Sequence, residues 1–270
     1  MSKILTTRVL SVVAAIFLHI TLLSAQRIEV GVALGAANYV GDLARTMVMT
    51  ETKPAFGIFG RYALSSSFAF KGEITFTQLS GSDQNYGFNT VRNLNFRSDI
   101  TEYSGVLEFN FNKYGLSVLD KKFTSYVFIG VAMFEFKPEA LYQDAWYDLR
   151  PLRTEGKTYG STSYAIPFGM GIKCHLARNF SLEANFGFRK TFTDYLDDVS
   201  GTYIDNYEQN QRMGAVAAAL TDRSAELFNG VPQYPAGSKR GNPDFNDWYM
   251  VGSVSLSYRI LNATKCARFY

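Results

Sequence analysis

The sequence of 270 residues has very few of the side chains on which metal sites and disulfide-built folds depend. It contains two cysteines, Cys174 and Cys266, and two histidines, His19 and His175. Two cysteines are too few for a disulfide framework, and a histidine-rich metal site is excluded by the histidine count. Basic blocks of the kind that bind nucleic acid are also missing, so we expect no nucleic-acid partner.

Long apolar runs are missing as well, except at the N-terminus. After residue 25, no stretch approaches the ~20 consecutive apolar residues that a transmembrane helix needs. The first 25 residues have the parts of a secretory signal peptide: basic residues at Lys3 and Arg8, an apolar run over 9–23, and a small-residue cleavage site ending at Ala25. An uncleaved anchor is the alternative, but the run is short. We predict a signal peptide over residues 1–25 and one exported domain over residues 26–270.

What the sequence does have is an alternation of apolar and polar residues. In the stretch 68–77, Phe68, Phe70 and Phe76 fall on one side of a period-two repeat, and Lys71 and Glu73 on the other. A β-strand places alternate side chains on opposite faces, so this stretch is apolar on one face and charged on the other. The pattern recurs and predicts eight strands, at about 27–39, 55–64, 68–79, 98–111, 123–136, 160–176, 180–192 and 248–260.

The connections between these strands alternate between long and short. The long ones are 41–54, 80–97, 137–159 and 193–246, the last with a short helix predicted near 211–228, whereas the short ones are 65–67, 112–122 and 177–179. In an up-and-down barrel every second connection lies at the same rim, which is how bacterial outer-membrane barrels are built. We therefore predict an all-β fold, an eight-stranded antiparallel up-and-down transmembrane β-barrel with short periplasmic turns and long external loops, in the bacterial outer membrane.

Alternation alone does not say which face points outward, so a lipocalin-like barrel with an apolar interior is the alternative. A soluble barrel would cover its outer face with Lys, Glu and Gln. Here the polar face of the sixth strand consists of Ala165, Pro167, Gly169 and Gly171, and that of the eighth is mostly serine. Small residues suit the narrow interior of an eight-stranded barrel. The aromatic face, drawn from 22 Phe and 17 Tyr in the chain, is therefore predicted to contact outer-membrane lipid.

This orientation places charged residues of both signs inside the barrel. They are Glu29, Glu73, Glu108, Glu183, Arg61, Lys71, Lys173, Arg189 and Arg259. The near balance of signs predicts a paired network that closes the lumen, and a gated small channel is the alternative. Removing one partner of a buried pair costs about 3–5 kcal/mol, because the other charge is left uncompensated.

The residues give little support for catalysis. His175, the only histidine after the cleavage site, is predicted beside a short turn, whereas a Ser-His-Asp enzyme of this architecture would need its histidine on the long-loop side. Gly31 and Gly35 lie within a strand that no helix follows, so they do not form a phosphate-binding loop. We predict no enzyme activity and no cofactor.

Two further groups of residues lie near the rims. Asp194, Asp197, Asp198 and Asp205 in the last long loop form a set that could bind Ca²⁺, although their spacing does not match an EF-hand. The favoured interpretation is a solvated loop whose acids pair with Arg150, Arg153 and Lys157. At the other rim, Cys174 and Cys266 share an oxidising compartment, and a disulfide between them is a possibility left open.

Several longer motifs resemble those of one family. They are 37–43, 92–99, 146–152, 154–156, 166–169, Arg189–Tyr203, Arg240–Pro243 and Asn246–Tyr249, together with the ending that includes Cys266 and Arg268. Over essentially the whole mature chain they are similar to the PorG-like outer-membrane barrel proteins of Bacteroidetes. The resemblance implies a component of the type IX secretion system, which anchors or guides the periplasmic ring of PorK and PorN. The alternative is a surface adhesin or ligand-binding barrel that acts through its external loops.

A periplasmic partner would meet the short turns and the C-terminal tail. These segments carry six basic residues: Lys113, Lys121, Lys122, Arg178, Lys265 and Arg268. We predict that they form a basic rim that contacts the ring proteins. The alternative is that the same charges only mark the membrane interface.

Overall fold

The computed structural model describes residues 28–114, 121–177 and 179–260, so the predicted signal peptide and the C-terminal tail lie outside it. Within those ranges the strands are β1 (Ile28–Val40), β2 (Lys53–Ala63), β3 (Phe68–Ser82), β4 (Asn95–Asn110), β5 (Phe123–Tyr142), β6 (Ala145–Asp148), β7 (Thr162–His175), β8 (Phe180–Thr191) and β9 (Trp248–Arg259). The helices are α1 (Asp83–Tyr86), α2 (Leu149–Leu152), α3 (Asn206–Met213) and α4 (Ala215–Thr221), with 3-10 turns at Met49–Glu51 and Arg223–Glu226. No helix in these ranges is long and apolar enough to cross a membrane.

Eight of the strands close into a barrel. Neighbours in the order β1, β2, β3, β4, β5, β7, β8 and β9 pair antiparallel, and β9 pairs with β1 to complete the ring. The closing ladder runs from Glu29 opposite Arg259 to Val40 opposite Trp248. The predicted fold class is confirmed.

One side of the wall is taller than the sequence pattern predicts. The loop predicted at 137–159 is wrong over its first half, because β5 continues to Tyr142 and pairs with β6. The turn between them uses Gln143 and Asp144 in the left-handed region, at φ 48° and 62°. Trp146, predicted in a loop, lies in β6, where the guanidinium of Arg97 stacks 3.8 Å from its ring centre. The prediction ended the strand too early because the outward residues there are charged rather than apolar.

The last long loop contains more helix than the predicted 211–228 segment. It begins at Asn206, where the Asp205 side chain accepts a hydrogen bond from the Glu208 amide at 2.9 Å. It breaks at Gly214, whose φ of 92° favours glycine, and continues as α4. The helical segment is thus two short helices and a 3-10 turn over 206–226.

The outer face of the barrel carries an apolar belt. On β5, every second residue from Phe123 to Met133 points outward, and apart from Ser125 these side chains are apolar, with Val131 71% exposed. The next three outward residues of β5, Glu135, Lys137 and Glu139, are charged. About ten residues at ~3.3 Å each, tilted as barrel strands are, span roughly 25 Å, the height of the apolar band of outer-membrane barrels.

The interior has two layers. Toward the long loops it is filled by a hydrophobic cluster that includes Tyr39, Phe96, Phe134 and Tyr249, and Leu196 of the last loop joins it. Toward the short turns the buried side chains are charged. This arrangement reverses that of a soluble protein, since apolar side chains cover the outside and ionised groups fill part of the inside.

Candidate functional site

The charged layer is centred on Arg61 of β2. Its guanidinium lies 3.0 Å from Glu29 of β1 and 2.8 Å from Glu108 of β4, and it also pairs with Glu183 of β8. All four side chains are buried. Arg61 therefore joins strands on three sides of the barrel across its interior.

Two lysines extend this network. Lys173 lies 2.5 Å from Glu108, and Lys71 lies 2.9 Å from Glu73 and 3.9 Å from Glu183. Each lysine amine therefore has a carboxylate partner within ion-pair distance. Since both lysines are almost fully buried, these contacts offset the cost of removing their charges from water.

The remaining pairs lie on either side of this centre. Arg259 of β9 contacts Glu29 at 2.6 Å, whereas Arg189 of β8 contacts Glu102 of β4 at 3.2 Å. The hydroxyl of Tyr249 also donates to Glu102, at 2.5 Å. The structure thus brings all nine sequence-predicted lumen residues into ion pairs. Sequence reasoning missed Glu102, although it lies on the same face of its strand as Glu108 and strand parity alone could have found it.

The space left between these groups is small. A cavity beside Glu73 and Arg189 has a volume of about 10 Å³, room for about one water molecule. Below it lies the charged layer, and above it the hydrophobic cluster around Phe134. Buried side chains of both layers therefore fill the interior at these levels.

At the other end, the four long connections pack into a cap, defined as residues 41–52, 83–94, 143–161 and 192–247. Arg92 links three of them. It contacts Asp83 at 2.6 Å, donates to the carbonyl of Arg240 at 2.7 Å and donates to the carbonyl of Asp42 at 3.0 Å. One buried guanidinium therefore ties the first, second and last loops together.

Arg240 adds the third loop to the cap. Its guanidinium lies 3.1 Å from Glu155, which also accepts hydrogen bonds from the backbone amides of Ser200 and Gly201, at 2.9 and 2.8 Å, and from the hydroxyl of Tyr195 at 3.4 Å. Arg240 also donates to the carbonyl of Asp198 at 2.5 Å. All of these side-chain groups are buried, so the cap has an ionic interior of its own.

A tyrosine and two acids join the cap to the barrel. The hydroxyl of Tyr39, at the end of β1, lies 2.6 Å from Asp197 and 2.8 Å from Asp247. One hydroxyl proton serves only one of the two carboxylates, so the other carboxyl must carry a proton to complete the arrangement. Burial raises the pKa of both Asp197 and Asp247 well above the usual range, in agreement with that count.

The acids of the last loop differ from both sequence interpretations. Asp194, Asp197 and Asp198 are buried rather than solvated, and Asp205 instead caps α3. Asp198 accepts hydrogen bonds from Thr154 and Tyr159 and lies 3.9 Å from Arg240, so its cation is Arg240 and not Arg150, Arg153 or Lys157. Among the described residues no group of three or more acids, histidines or cysteines could hold a metal ion. The solvated-loop prediction is therefore wrong, and the structure does not support the Ca²⁺ alternative.

Asp194 has the fewest hydrogen-bond partners of these acids. It is 8% exposed, and neither of its side-chain oxygens has a hydrogen-bond partner among the described residues. Burial raises the pKa of this carboxyl to about 7. The side chain is therefore partly protonated near neutral pH.

Only part of the short-turn rim is described. Lys113, Lys121 and Lys122 lie in the turn between β4 and β5, where Lys121 donates from its amide to the carbonyl of Lys113 at 3.0 Å. Arg178, Lys265 and Arg268 lie outside the described residues, as does Cys266. The Cys174–Cys266 disulfide therefore stays a prediction.

His175 lies inside the barrel near the same rim. Its ring stacks on Tyr114, with centres 4.3 Å apart, and its Nδ1 lies 2.8 Å from the hydroxyl of Ser181. These contacts hold the imidazole between strands, away from the long-loop cap. The position agrees with the sequence expectation that His175 lies at the short-turn end.

Comparison with known proteins places the chain in a family. Residues 7–231 match the family described as "Domain of unknown function (DUF6089)". The chain belongs to the DUF6089 family. No curated protein matches the sequence.

Among solved structures, the DUF6089 chain is similar to several small outer-membrane barrels. Neisserial surface protein A is 9% identical over 86% of this chain and 96% of its own, with a TM-score of 0.42. Ail, the attachment invasion locus protein of Yersinia pestis, in complex with the heparin analogue sucrose octasulfate, is 10% identical over 86% and 98%, with a TM-score of 0.40. The N-terminal barrel domain of Pseudomonas aeruginosa OprF is 11% identical over 85% and 97%, with a TM-score of 0.36. These values describe a resemblance of fold only.

Proposed function

We propose that this protein is a non-catalytic barrel of the bacterial outer membrane whose function is carried out at its rims rather than through its lumen. The observation that carries the proposal is the closed interior, in which buried ion pairs around Arg61 lie below a hydrophobic cluster. The apolar belt supports the membrane location, because about 25 Å of aromatic and aliphatic surface would be unstable in water.

The specific role we propose is that of a component of the type IX secretion machinery. The protein anchors or guides the periplasmic ring formed by PorK- and PorN-like proteins. Support comes from the sequence motifs shared with PorG-like barrels and from the basic residues at the short-turn rim, of which Lys121 and Lys122 are exposed. A basic rim on a fixed barrel would attract an acidic surface on a periplasmic partner.

Charge reversal at the rim tests this role. The triple variant Lys121→Glu, Lys122→Glu and Arg178→Glu should lose most of its co-purification with the ring lipoproteins from solubilised outer membranes. A matched control, Arg150→Glu, Arg153→Glu and Arg212→Glu, reverses three charges at the long-loop rim and should retain the ring. Deletion of the gene should also reduce the exported cargo. Equal recovery of ring proteins with both triple variants would count against the role.

The cap favours a second candidate, a surface receptor or adhesin that acts through the long loops. Its four loops are held together by Arg92 and Arg240, so the cap presents a defined surface rather than free chains. Large apolar side chains project from it, among them Tyr207 at 73% and Phe245 at 74% exposure. For this candidate, Tyr207→Ser with Phe245→Ser should abolish cell attachment while ring co-purification is unchanged.

A further inference from the structure

The lipid-facing wall is concave near the short-turn rim. A groove of about 510 Å³ lies across β5, β7 and β8 within the apolar belt. Its lining includes Phe111, Val127, Met170, Ile172, Ala184 and Phe186, which are all apolar.

The groove forms because the two residues that flank Ile172 on the neighbouring strands are small. In the register of the sheet, Ile172 lies opposite Ser125 on one side and Ala184 on the other. The next row of outward residues is Val127, Met170 and Phe186, whose larger side chains rise above that floor. A depression of this volume between apolar side chains suits a flexible hydrocarbon chain.

The groove opens toward a basic group at the rim. Lys121 and Lys122 directly precede β5 and are exposed, and Lys122 lies three residues before Ser125. Three strand residues span about 10 Å. The side chain of Lys121 is positioned by Asn112, whose Oδ1 it contacts at 3.3 Å. Positive charge therefore lies at the rim, about 10 Å along β5 from Ser125 in the groove.

We propose that this groove binds an anionic phospholipid from the membrane leaflet at the short-turn rim. One acyl chain lies over Ser125 and Ala184, and the phosphate contacts Lys121 and Lys122. Clusters of lysine at a membrane surface attract anionic headgroups, and the groove adds a fixed seat for the chain. The site shares Lys121 and Lys122 with the rim that the proposed function assigns to ring association, whereas the groove itself is separate from that rim.

The experiment is native mass spectrometry of the purified barrel with dioleoyl phosphatidylglycerol or dioleoyl phosphatidylcholine added at equal concentration. Wild-type protein should retain at least threefold more phosphatidylglycerol than phosphatidylcholine. Ser125→Leu with Ala184→Leu fills the groove and should lower phosphatidylglycerol retention at least threefold. Gly60→Leu is the matched control, because Gly60 faces outward on β2 and a side chain added there meets no atom within 4 Å.

A second pair of substitutions distinguishes the contribution of the headgroup contact to lipid binding from that of the acyl-chain contact. Lys121→Gln with Lys122→Gln should remove the preference for phosphatidylglycerol while keeping some retention of both lipids. Heat-modifiable migration on gels checks that every variant folds, and only folded variants are compared. Equal retention of the two lipids by wild-type protein would overturn the proposal, as would unchanged retention in the filled-groove variant. The filled-groove variant should still co-purify with ring proteins, so failure of the lipid site is distinguishable from failure of the secretion role.

Discussion

The guanidinium of Arg240 lies 3.1 Å from a carboxylate oxygen of Glu155, 85 positions away in the sequence, with both side chains buried. This pair joins the third and last long loops, and through the Arg240 carbonyl it also reaches Arg92 of the second loop. The pair therefore links the second, third and last loops of the cap through buried contacts.

Arg240→Ala should open the cap without unfolding the barrel. The substitution leaves Glu155 buried without its cation, which costs about 3–5 kcal/mol. Limited proteolysis should then cut within 192–247, while the strands stay resistant. Arg212→Ala is the control, because that arginine makes only an exposed pair with Glu208 at 3.4 Å and its loss should leave the cutting pattern unchanged. Equal protease resistance of Arg240→Ala and wild type would contradict the account of the cap.

Asp194 should make the free energy of cap opening depend on pH, and the direction of that dependence follows from its raised pKa. Burial raises the pKa of this carboxyl from 3.8 to about 7, so above pH ~4 the folded cap keeps a proton that the unfolded loop has lost. The free energy of opening is therefore highest below pH ~4 and falls as pH rises toward 7, by at most about 1.4 kcal/mol per pH unit for one group. Asp198, whose pKa burial raises to about 6, contributes in the same direction.

Asp194→Asn should flatten that dependence. Hydrogen exchange of the amides in 192–247, measured between pH 4.5 and 7 and corrected for intrinsic rates, reports the free energy of opening. Wild-type protein should lose protection as pH rises, and the variant should lose less because only Asp198 and the more strongly shifted acids remain. A slope as steep in the variant as in wild type would show that Asp194 is not the group that titrates.

Arg61 is predicted to be the most sensitive residue of the lumen. Arg61→Met leaves Glu29, Glu108 and Glu183 near one another with less positive charge between them, and should destabilise the barrel by about 3–5 kcal/mol. The double variant Arg61→Met with Glu183→Gln removes one of the acids left without Arg61, while Lys71 keeps its contact with Glu73, and should recover part of that loss. Urea unfolding in lipid vesicles measures both. A single variant as stable as wild type would mean that the network is not required for the fold.

The position of the apolar belt predicts that the stability cost of a charged substitution on the outer face depends on its depth in the membrane. Val131→Arg places a charge on the outer face within the belt, where such a substitution costs about 2–4 kcal/mol. Glu135→Arg lies two outward positions further along β5, above the belt, and should cost little. Comparable unfolding free energies for the two variants in vesicles would contradict the position assigned to the membrane boundary.

The barrel could be predicted from the sequence because the alternation of apolar and polar residues that marks each strand is a local pattern. Alternation with period two identifies each strand, and the alternation of long and short connections gives the topology. The orientation also follows, since Gly169, Gly171 and the serines of the last strand are unsuited to an outer surface in water. Strand β6 was missed because outward charges such as Lys137 and Glu139 continue the sheet beyond the membrane, where apolar residues no longer mark it.

The cap could not be predicted in the same way, because its contacts join residues far apart in the chain. Nothing in the local pattern pairs Arg240 with Glu155, or places Tyr39 between Asp197 and Asp247. The family motifs around Arg92 and Arg240 did contain these residues, but the sequence alone did not show that they contact one another. Burial of the acids, which only the packed loops produce, reversed the expectation of a solvated loop.

Conductance in planar lipid bilayers tests the central claim most directly, since a lumen closed by the Arg61 network and the hydrophobic cluster leaves no path for ions. We expect the purified, folded protein to insert and to show no steady current. A stable open pore in the wild-type protein would contradict the closed interior and the assignment of function to the rims.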